Sequence, residues 1–351
     1  MLISSILTDW YLEKKRDLPW RNTRNPYYIW VSEVILQQTR VAQGLSYYHR
    51  FITRFPDVQS LATAEIDDVL KVWQGLGYYS RARNLHEGAK YVVKQFNGVL
   101  PAHYESLLKI KGVGEYTAAA IGSIVFNIPV PVVDGNVNRV IARVFGVHDP
   151  VNSSPGIKRI KEIALKILNP ENPALHNQAM MEFGALQCVV HNPACDICPL
   201  KNECYALAHQ EVDRLPLKIK HTKIRDRYFN YLVILYHNNI VITQRSGKDI
   251  WQGLYDFPLI ETAQLVSKGI LMCSPQWKSI FGNTPCKVLN ISHTYVHQLT
   301  HQKIHARFLM IKVDDLPEIL MNSTTLVIDM KTIRQYPVSK MVDNFLSTLD
   351  L

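Results

Sequence analysis

Residues 107–126 read LLKIKGVGEYTAAAIGSIVF, and the architecture of the chain turns on what this stretch does. Apolar residues on both sides of Gly112-Val113-Gly114 predict two helical stretches joined by a tight turn, where glycine supplies the positive φ. The second helix starts directly after the turn, so its free N–H groups and the positive end of its dipole face outward together. Such an end holds a phosphate without help from a side chain. A lone Gly-x-Gly is weak evidence, and an ordinary helical hairpin is the default reading. Ala118, Ala119 and Ala120 allow close helix approach in either case.

Upstream, WVSEVILQQTR (30–40) poses a second question. Val31, Val34, Ile35 and Leu36 give it an apolar helical body, yet Glu33 sits near its start and Gln37 and Gln38 close it. Downstream, VPVVDGNVNRVIARVFG (130–146) places Asp134 after an apolar run and ahead of a helix, where N-capping alone explains it. Asn136, Arg139 and Arg143 then face either solvent or a phosphate backbone.

The remaining signals are coarser. A chain of 351 residues suits two domains, and 47% apolar with 20% charged residues excludes a disordered polymer. A net charge of +9 suits a polyanion without proving one. The start, MLISSILTDWYLEKKRD, has neither a basic segment ahead of its apolar run nor a small-residue cleavage site, so no signal peptide is expected. No apolar run approaches the length of a membrane span, and a cytoplasmic protein is expected. Four of the six cysteines form Cys188-x6-Cys195-x2-Cys198-x5-Cys204, a soft-ligand set for zinc or an iron–sulfur cluster, with spacing leaving both open. Cys273 and Cys286 lie apart and read as inert thiols.

Residues 1–208 read as mostly helical. FPDVQSLATAEIDDVLKVW (55–73) and PGIKRIKEIALKIL (155–168) carry apolar positions at helical spacing, the latter with Pro155 early in the helix. Residues 209–227 lack a period, are dense in Lys and Arg, and are expected to form an exposed basic linker. From 228 onward the pattern changes: YFNYLVILY, the turn HNN and IVITQR predict a β-hairpin, and KIHARFLMIKV alternates like another strand. The expected fold is a mainly α N-terminal part, 1–208, followed by an α+β domain, 228–351.

Taken together, LPWR (18–21), PYYIWVSEVILQQTRV (26–41), WQGLGYYSRARN (73–84), IKGVGEYTAAAI (110–121), VDGNVNRV (133–140) and the four-cysteine loop resemble the MutY-type adenine DNA glycosylases of the helix-hairpin-helix superfamily, in the same order. The resemblance implies a [4Fe–4S] cluster on Cys188, Cys195, Cys198 and Cys204 rather than zinc. It implies that Glu33 protonates adenine at N7 and later activates water, and that Asp134 stabilises or bonds the cationic sugar. Tyr116 and Asn136 would position both groups. A lysine in Tyr116's place is the Schiff-base nucleophile of the related bifunctional enzymes, so a phenol there implies a monofunctional glycosylase.

The same resemblance makes duplex DNA the partner, with adenine opposite 8-oxoguanine or guanine as the substrate of a monomeric enzyme. The base must be flipped out of the stack, and Gln38 and Tyr78 match the residues that intercalate beside the lesion. Leu18, Arg21 and Thr39 are assigned to DNA contact, Gly112 and Gly114 to the phosphate backbone. The C-terminal part resembles the family's Nudix-like domain. It has no Arg-Glu-x-x-Glu-Glu helix for magnesium, which implies a reader rather than a hydrolase. Leu299, Thr300 and His301 fill the place of the family's Phe-Ser-His loop, so Thr300 and His301 are the expected reading residues. A metal tract or a solvated strand face is the bland account of His293, His297, His301 and His305. The rivals are an endonuclease III-like glycosylase with lyase activity, a non-catalytic DNA-binding module and an oxidised-nucleotide hydrolase.

Overall fold

The computed structural model describes residues 2–219 and 224–349. Its first unit comprises Met1–Thr63 with Asn84–Lys220, and its second Ala64–Arg83 with His221–Leu351. A chain that is helical and then mixed α/β is therefore observed, but the helical sequence does not all stay in one unit.

The helices run α1 (Leu2–Lys14), α2 (Pro26–Leu36), α3 (Val41–Arg54), α4 (Val58–Thr63), α5 (Ile66–Trp73), α6 (Ser80–Phe96), α7 (Tyr104–Leu107), α8 (Glu115–Phe126), α9 (Gly135–Phe145), α10 (Ser154–Ile167), α11 (Pro173–Leu186) and α12 (Tyr205–Ala208). α2 begins where the Asn25 side chain caps the Tyr27 N–H and Pro26 pre-sets φ. It is apolar on every face, and Tyr27 and residues 29–35 are all buried, so it runs through the interior rather than over it. α10 starts as its sequence suggests, with Ser153 capping Gly156 and Pro155 in the first turn. The 55–73 period is split into two helices, because Glu65 takes an extended conformation between them.

In the second unit an eight-stranded sheet is built on β1 (Arg225–Tyr236), paired in parallel along its whole length with β7 (Gln302–Val313). The predicted hairpin is present: Tyr236 pairs with Asn239 of β2 (Asn239–Gln244) across a two-residue turn in which His237 is left-handed. β3 (Tyr255–Asp256) and β8 (Thr325–Asp329) pair with β2, β4 (Leu259–Thr262) with β1, and β5 (Cys286–Ile291) and β6 (Tyr295–Gln298) with β7. α13 (Lys268–Met272) and α14 (Pro275–Phe281) bring Leu271, Trp277 and Phe281 to one core of this unit, and α15 (Lys340–Leu346) brings Met341, Val342 and Phe345 to another.

The linker expected at 209–227 is shorter than its sequence implied. Leu215 is buried, its carbonyl accepts from Arg143, and Leu217 accepts from the Val151 N–H at 2.9 Å. β1 already begins at Arg225, and residues 220–223 lie outside the described residues. A second departure concerns 64–83, which carries the helical period of the first part yet clusters with the second unit.

Candidate active site

The Gly112–Gly114 turn joins less than a pair of full helices. α7 is one short helical turn, and bonds such as Ile110 N–H to Leu107 O and Val113 N–H to Ile110 O carry the chain from it to the glycines. Gly112 takes φ +81, and a Cβ there would meet the Cβ of Asn84 at 2.7 Å, so only glycine fits. Gly114 caps α8 in extended conformation, with no side-chain acceptor on the first amides and open space where its Cβ would be. The N–H groups of this end are available to an anion.

α8 then presents Tyr116 to α2. The Tyr116 hydroxyl donates to Glu33 Oε2 at 2.6 Å, and Gln37 at the end of α2 donates to Thr117 Oγ1 at 3.2 Å. Gln37 thus ties the two helices. Glu33 is 6% exposed. Burial raises its pKa to about 7, the Tyr116 bond opposes that, the Asp134 charge adds to it and Arg21 opposes it. Burial, with the charges of Glu33 and Asp134, holds the Tyr116 phenol well above its ordinary value, so it remains a donor.

Asp134 caps α9, as its sequence position alone suggested. Oδ1 accepts from the N–H groups of Asn136 and Val137 at 2.8 and 2.7 Å, and Oδ2 from the Asn136 side chain at 2.8 Å. Capping fixes the orientation of the carboxylate. Burial pushes its pKa up, while the Val137 and Asn136 bonds and Arg139 pull it down. Arg139 and Arg143 face neither solvent nor phosphate. Arg139 bonds Asn136 Oδ1 at 2.9 Å, Gly184 O at 2.6 Å and Cys188 O at 2.7 Å, and Arg143 bonds the carbonyls of Val189, Val190 and Leu215. The Asp134–Asn136 cap is thereby braced against the cysteine loop.

Cys188, Cys195, Cys198 and Cys204 all line one mostly apolar cavity, and Arg143 Nη1 lies 3.5 Å from Cys188 Sγ. Among the described residues no three or more His, Cys, Asp or Glu side chains are grouped to hold a single metal ion. Four thiols lining one cavity form a soft-ligand set of the kind that holds either zinc or an iron–sulfur cluster.

Two residues assigned to DNA contact are not presented for it. Leu18 is buried, 6% exposed, at the start of a 3-10 turn. Arg21 is spent on the Glu182 carboxylate at 2.8 and 2.6 Å and on the Arg16 carbonyl at 2.9 Å. Glu182 itself is buried, also pairs with Arg16, and was missed in the sequence. A lone carboxylate inside the apolar run MMEFGAL is the signature that singled out Glu33, and it marks Glu182 as well.

Gln38 is exposed just past α2, beside a half-buried Thr39, and has φ +56; Tyr78 has φ +47. Non-glycine residues in the left-handed region are uncommon and cluster where function requires a fixed aim. Tyr78, Thr300 and His301 all belong to the second unit, where the Tyr78 and Thr300 hydroxyls lie 3.0 Å apart and His301 is exposed. Among the described residues the histidine run forms no metal-holding group: His293 stacks on Tyr295, His297 packs beside Trp251, and His305 pairs with Asp226 and stacks on Tyr228. Residues 263–282, which include α13 and α14, contain no acidic side chain, and Glu261 is paired with Arg227. Within α13 and α14, therefore, no side chain is a carboxylate ligand for magnesium.

Residues 31–170 match the HhH-GPD superfamily base excision DNA repair proteins, and residues 230–348 match the NUDIX domain. A Buchnera aphidicola (subsp. Baizongia pistaciae) protein named adenine DNA glycosylase is 33% identical over 327 residues, 91% of this chain and 89% of its own. A human protein of the same name is 42% identical over 218 residues, 60% of this chain and 40% of its own. Among solved structures, a thermostable thymine-DNA glycosylase superposes with TM-score 0.55 at 27% identity, covering 59% of this chain and 96% of that one. An endonuclease III–DNA complex shares the fold with TM-score 0.52 at 21% identity, covering 60% and 95%.

Proposed function

The chain belongs to the adenine DNA glycosylases, enzymes of base excision repair, and from that premise we propose that it hydrolyses adenine paired with 8-oxoguanine, or with guanine, without cleaving the strand. The observation that carries the reading is the buried pair formed by Glu33 and the Tyr116 hydroxyl at 2.6 Å, with the Glu33 pKa near neutrality.

Adenine is a poor leaving anion, and its loss leaves a cationic sugar, so the reaction calls for an acid at the base and a negative charge at C1′. Tyr116 occupies Oε2 of Glu33, which leaves Oε1 to carry the proton to N7. The C1′–N9 bond breaks with its electron pair going to the protonated base. The Asp134 carboxylate, held by its capping bonds and Asn136, faces the developing cation. Water then adds to C1′ and returns a proton to Glu33. No amine takes part, because a phenol stands at the second position of α8.

On the DNA, the Gly112–Gly114 turn takes a phosphate, Gln38 and Tyr78 enter the stack, and Thr39 lies beside the first of them. Thr300 and His301 read the base opposite adenine. A [4Fe–4S] cluster on Cys188, Cys195, Cys198 and Cys204, when bound, would clamp the loop between α11 and α12. The enzyme acts as a monomer, in the cytoplasm and on the chromosome.

The test is single-turnover adenine release from a duplex with one 8-oxoguanine:adenine pair. Strand breaks are expected only after hot alkali, and borohydride should trap no protein–DNA adduct. Failure to release adenine, or direct cleavage with a trapped adduct, would overturn the proposal.

A further inference from the structure

Residues 64–83 lie inside the stretch matched to the glycosylase family, yet they pack with the second unit. The contacts are specific. Asp67 on α5 accepts from the Tyr255 hydroxyl at 3.0 Å and from Gln244 Nε2 at 3.3 Å. Gln74, just past α5, accepts from the Val338 N–H at 3.3 Å and donates to Asp343 at 3.4 Å. Lys71 donates to Tyr336 O at 3.1 Å, Tyr79 to Val338 O at 3.4 Å and Arg83 to Gln252 O at 2.6 Å. Gly253, at φ +83, leaves room for Leu70.

The loop that follows is rigid by its own bonds. The Trp73 indole and Arg81 both donate to Gly77 O, and the Tyr79 hydroxyl accepts from Gly75 N–H. Arg81 also lies over the rings of Trp73 and Tyr78. This bracing holds Tyr78 left-handed and half exposed, its hydroxyl on Thr300. On the other side of that bond, Leu299 packs against the core of the unit instead of offering a surface for stacking.

We propose that residues 64–83 are the seat of the Tyr78 wedge on the reading unit, and that Asp67 and Gln74 are positioning residues which make intercalation at Tyr78 and reading at Thr300 a single event. Without DNA the two hydroxyls satisfy each other; an oxidised base that claims the Thr300 hydroxyl releases the Tyr78 ring at the same moment. This inference rests on the 8-oxoguanine reading proposed above.

The experiment compares wild type with Asp67→Ala/Gln74→Ala and with Asp67→Asn, which keeps an acceptor for Tyr255. Two quantities are read: the ratio of single-turnover adenine release from 8-oxoguanine:adenine over guanine:adenine duplexes, and the fluorescence of a 2-aminopurine stacked beside the 8-oxoguanine. The double variant should lower the ratio at least about fivefold and abolish the fluorescence change on binding, while Asp67→Asn behaves as wild type. A folded double variant with both quantities unchanged would overturn the proposal, as would a lower ratio with the fluorescence response intact. If the double variant does not fold, the Tyr255→Phe variant, which removes only a hydroxyl, is read in the same way. A wild type with no preference for 8-oxoguanine would instead refute the reading on which the inference rests.

Discussion

Glu33 must hold a proton to act as the acid, and its pKa of about 7 makes that requirement measurable. The protonated fraction is about one half at pH 7, about one in eleven at pH 8 and about one in a hundred at pH 9. With enzyme saturating over DNA, so that binding does not enter, the single-turnover rate should fall about fivefold from pH 7 to 8 and about ninefold from pH 8 to 9. Glu33→Gln keeps an oxygen for the Tyr116 hydroxyl but has no proton to give, so its rate should be lower by several orders of magnitude at every pH. Wild type that is flat between pH 6 and 9, or a glutamine variant within tenfold of it, would refute the assignment of Glu33 as the acid.

The same shift has a stability consequence of definite sign. A carboxyl raised from 4.5 to about 7 on folding favours the native state while protonated, and that contribution is lost as pH rises through 7. Between pH 5 and pH 8 the loss amounts to roughly 2.5 kcal/mol at 1.36 kcal/mol per unit. Glu33→Gln does not titrate, so its stability relative to wild type should rise by that order over this range. The inactive variant should therefore melt above wild type at pH 8, with the gap closing toward pH 5. A gap that is constant with pH would mean that burial does not hold the proton on Glu33.

Three further outcomes follow from neighbouring residues. Tyr116→Phe removes a bond that lowers the Glu33 pKa, so the alkaline limb of the pH–rate profile should move to higher pH; a limb that moves down contradicts the 2.6 Å contact. Glu182 is pulled down to about 2 by Arg16 and Arg21 against the cost of burial, so its stabilisation is present above 4.5 and fades as pH falls through 2. Glu182→Gln should cost about 3 kcal/mol in urea unfolding at pH 7, because it leaves two guanidinium groups facing a neutral amide; wild-type stability would show that the network is not what holds α11. Gly112→Ala forces a Cβ to 2.7 Å from that of Asn84. It should weaken duplex binding and reduce the salt slope by about one phosphate, and an unchanged slope would remove the turn from the DNA interface.

How much of this was legible beforehand depends on the range of the physics involved. Caps, turns and periods act over a few residues, so α2, α8, α9, α10 and the β1–β2 hairpin were readable at their places. The 55–73 period specified an apolar face but not which core would receive it, and α5 joined the second unit because the partners of Asp67 and Gln74 lie beyond residue 240. The linker failed for a similar reason: basic residues implied solvent, whereas Leu215 and Leu217 are held by Arg143 and Val151. Glu33 and Glu182 make the limit sharpest. Each is a lone carboxylate in an apolar helical run, indistinguishable by pattern, yet one is raised to about 7 and the other lowered to about 2. Glu33 meets a single phenol 83 positions away, which adds no charge. Glu182 meets two guanidinium groups 166 and 161 positions away, which offset its desolvation. Pattern finds a carboxylate that cannot be idle; only the partners that folding brings to it decide whether it is an acid or an anchor.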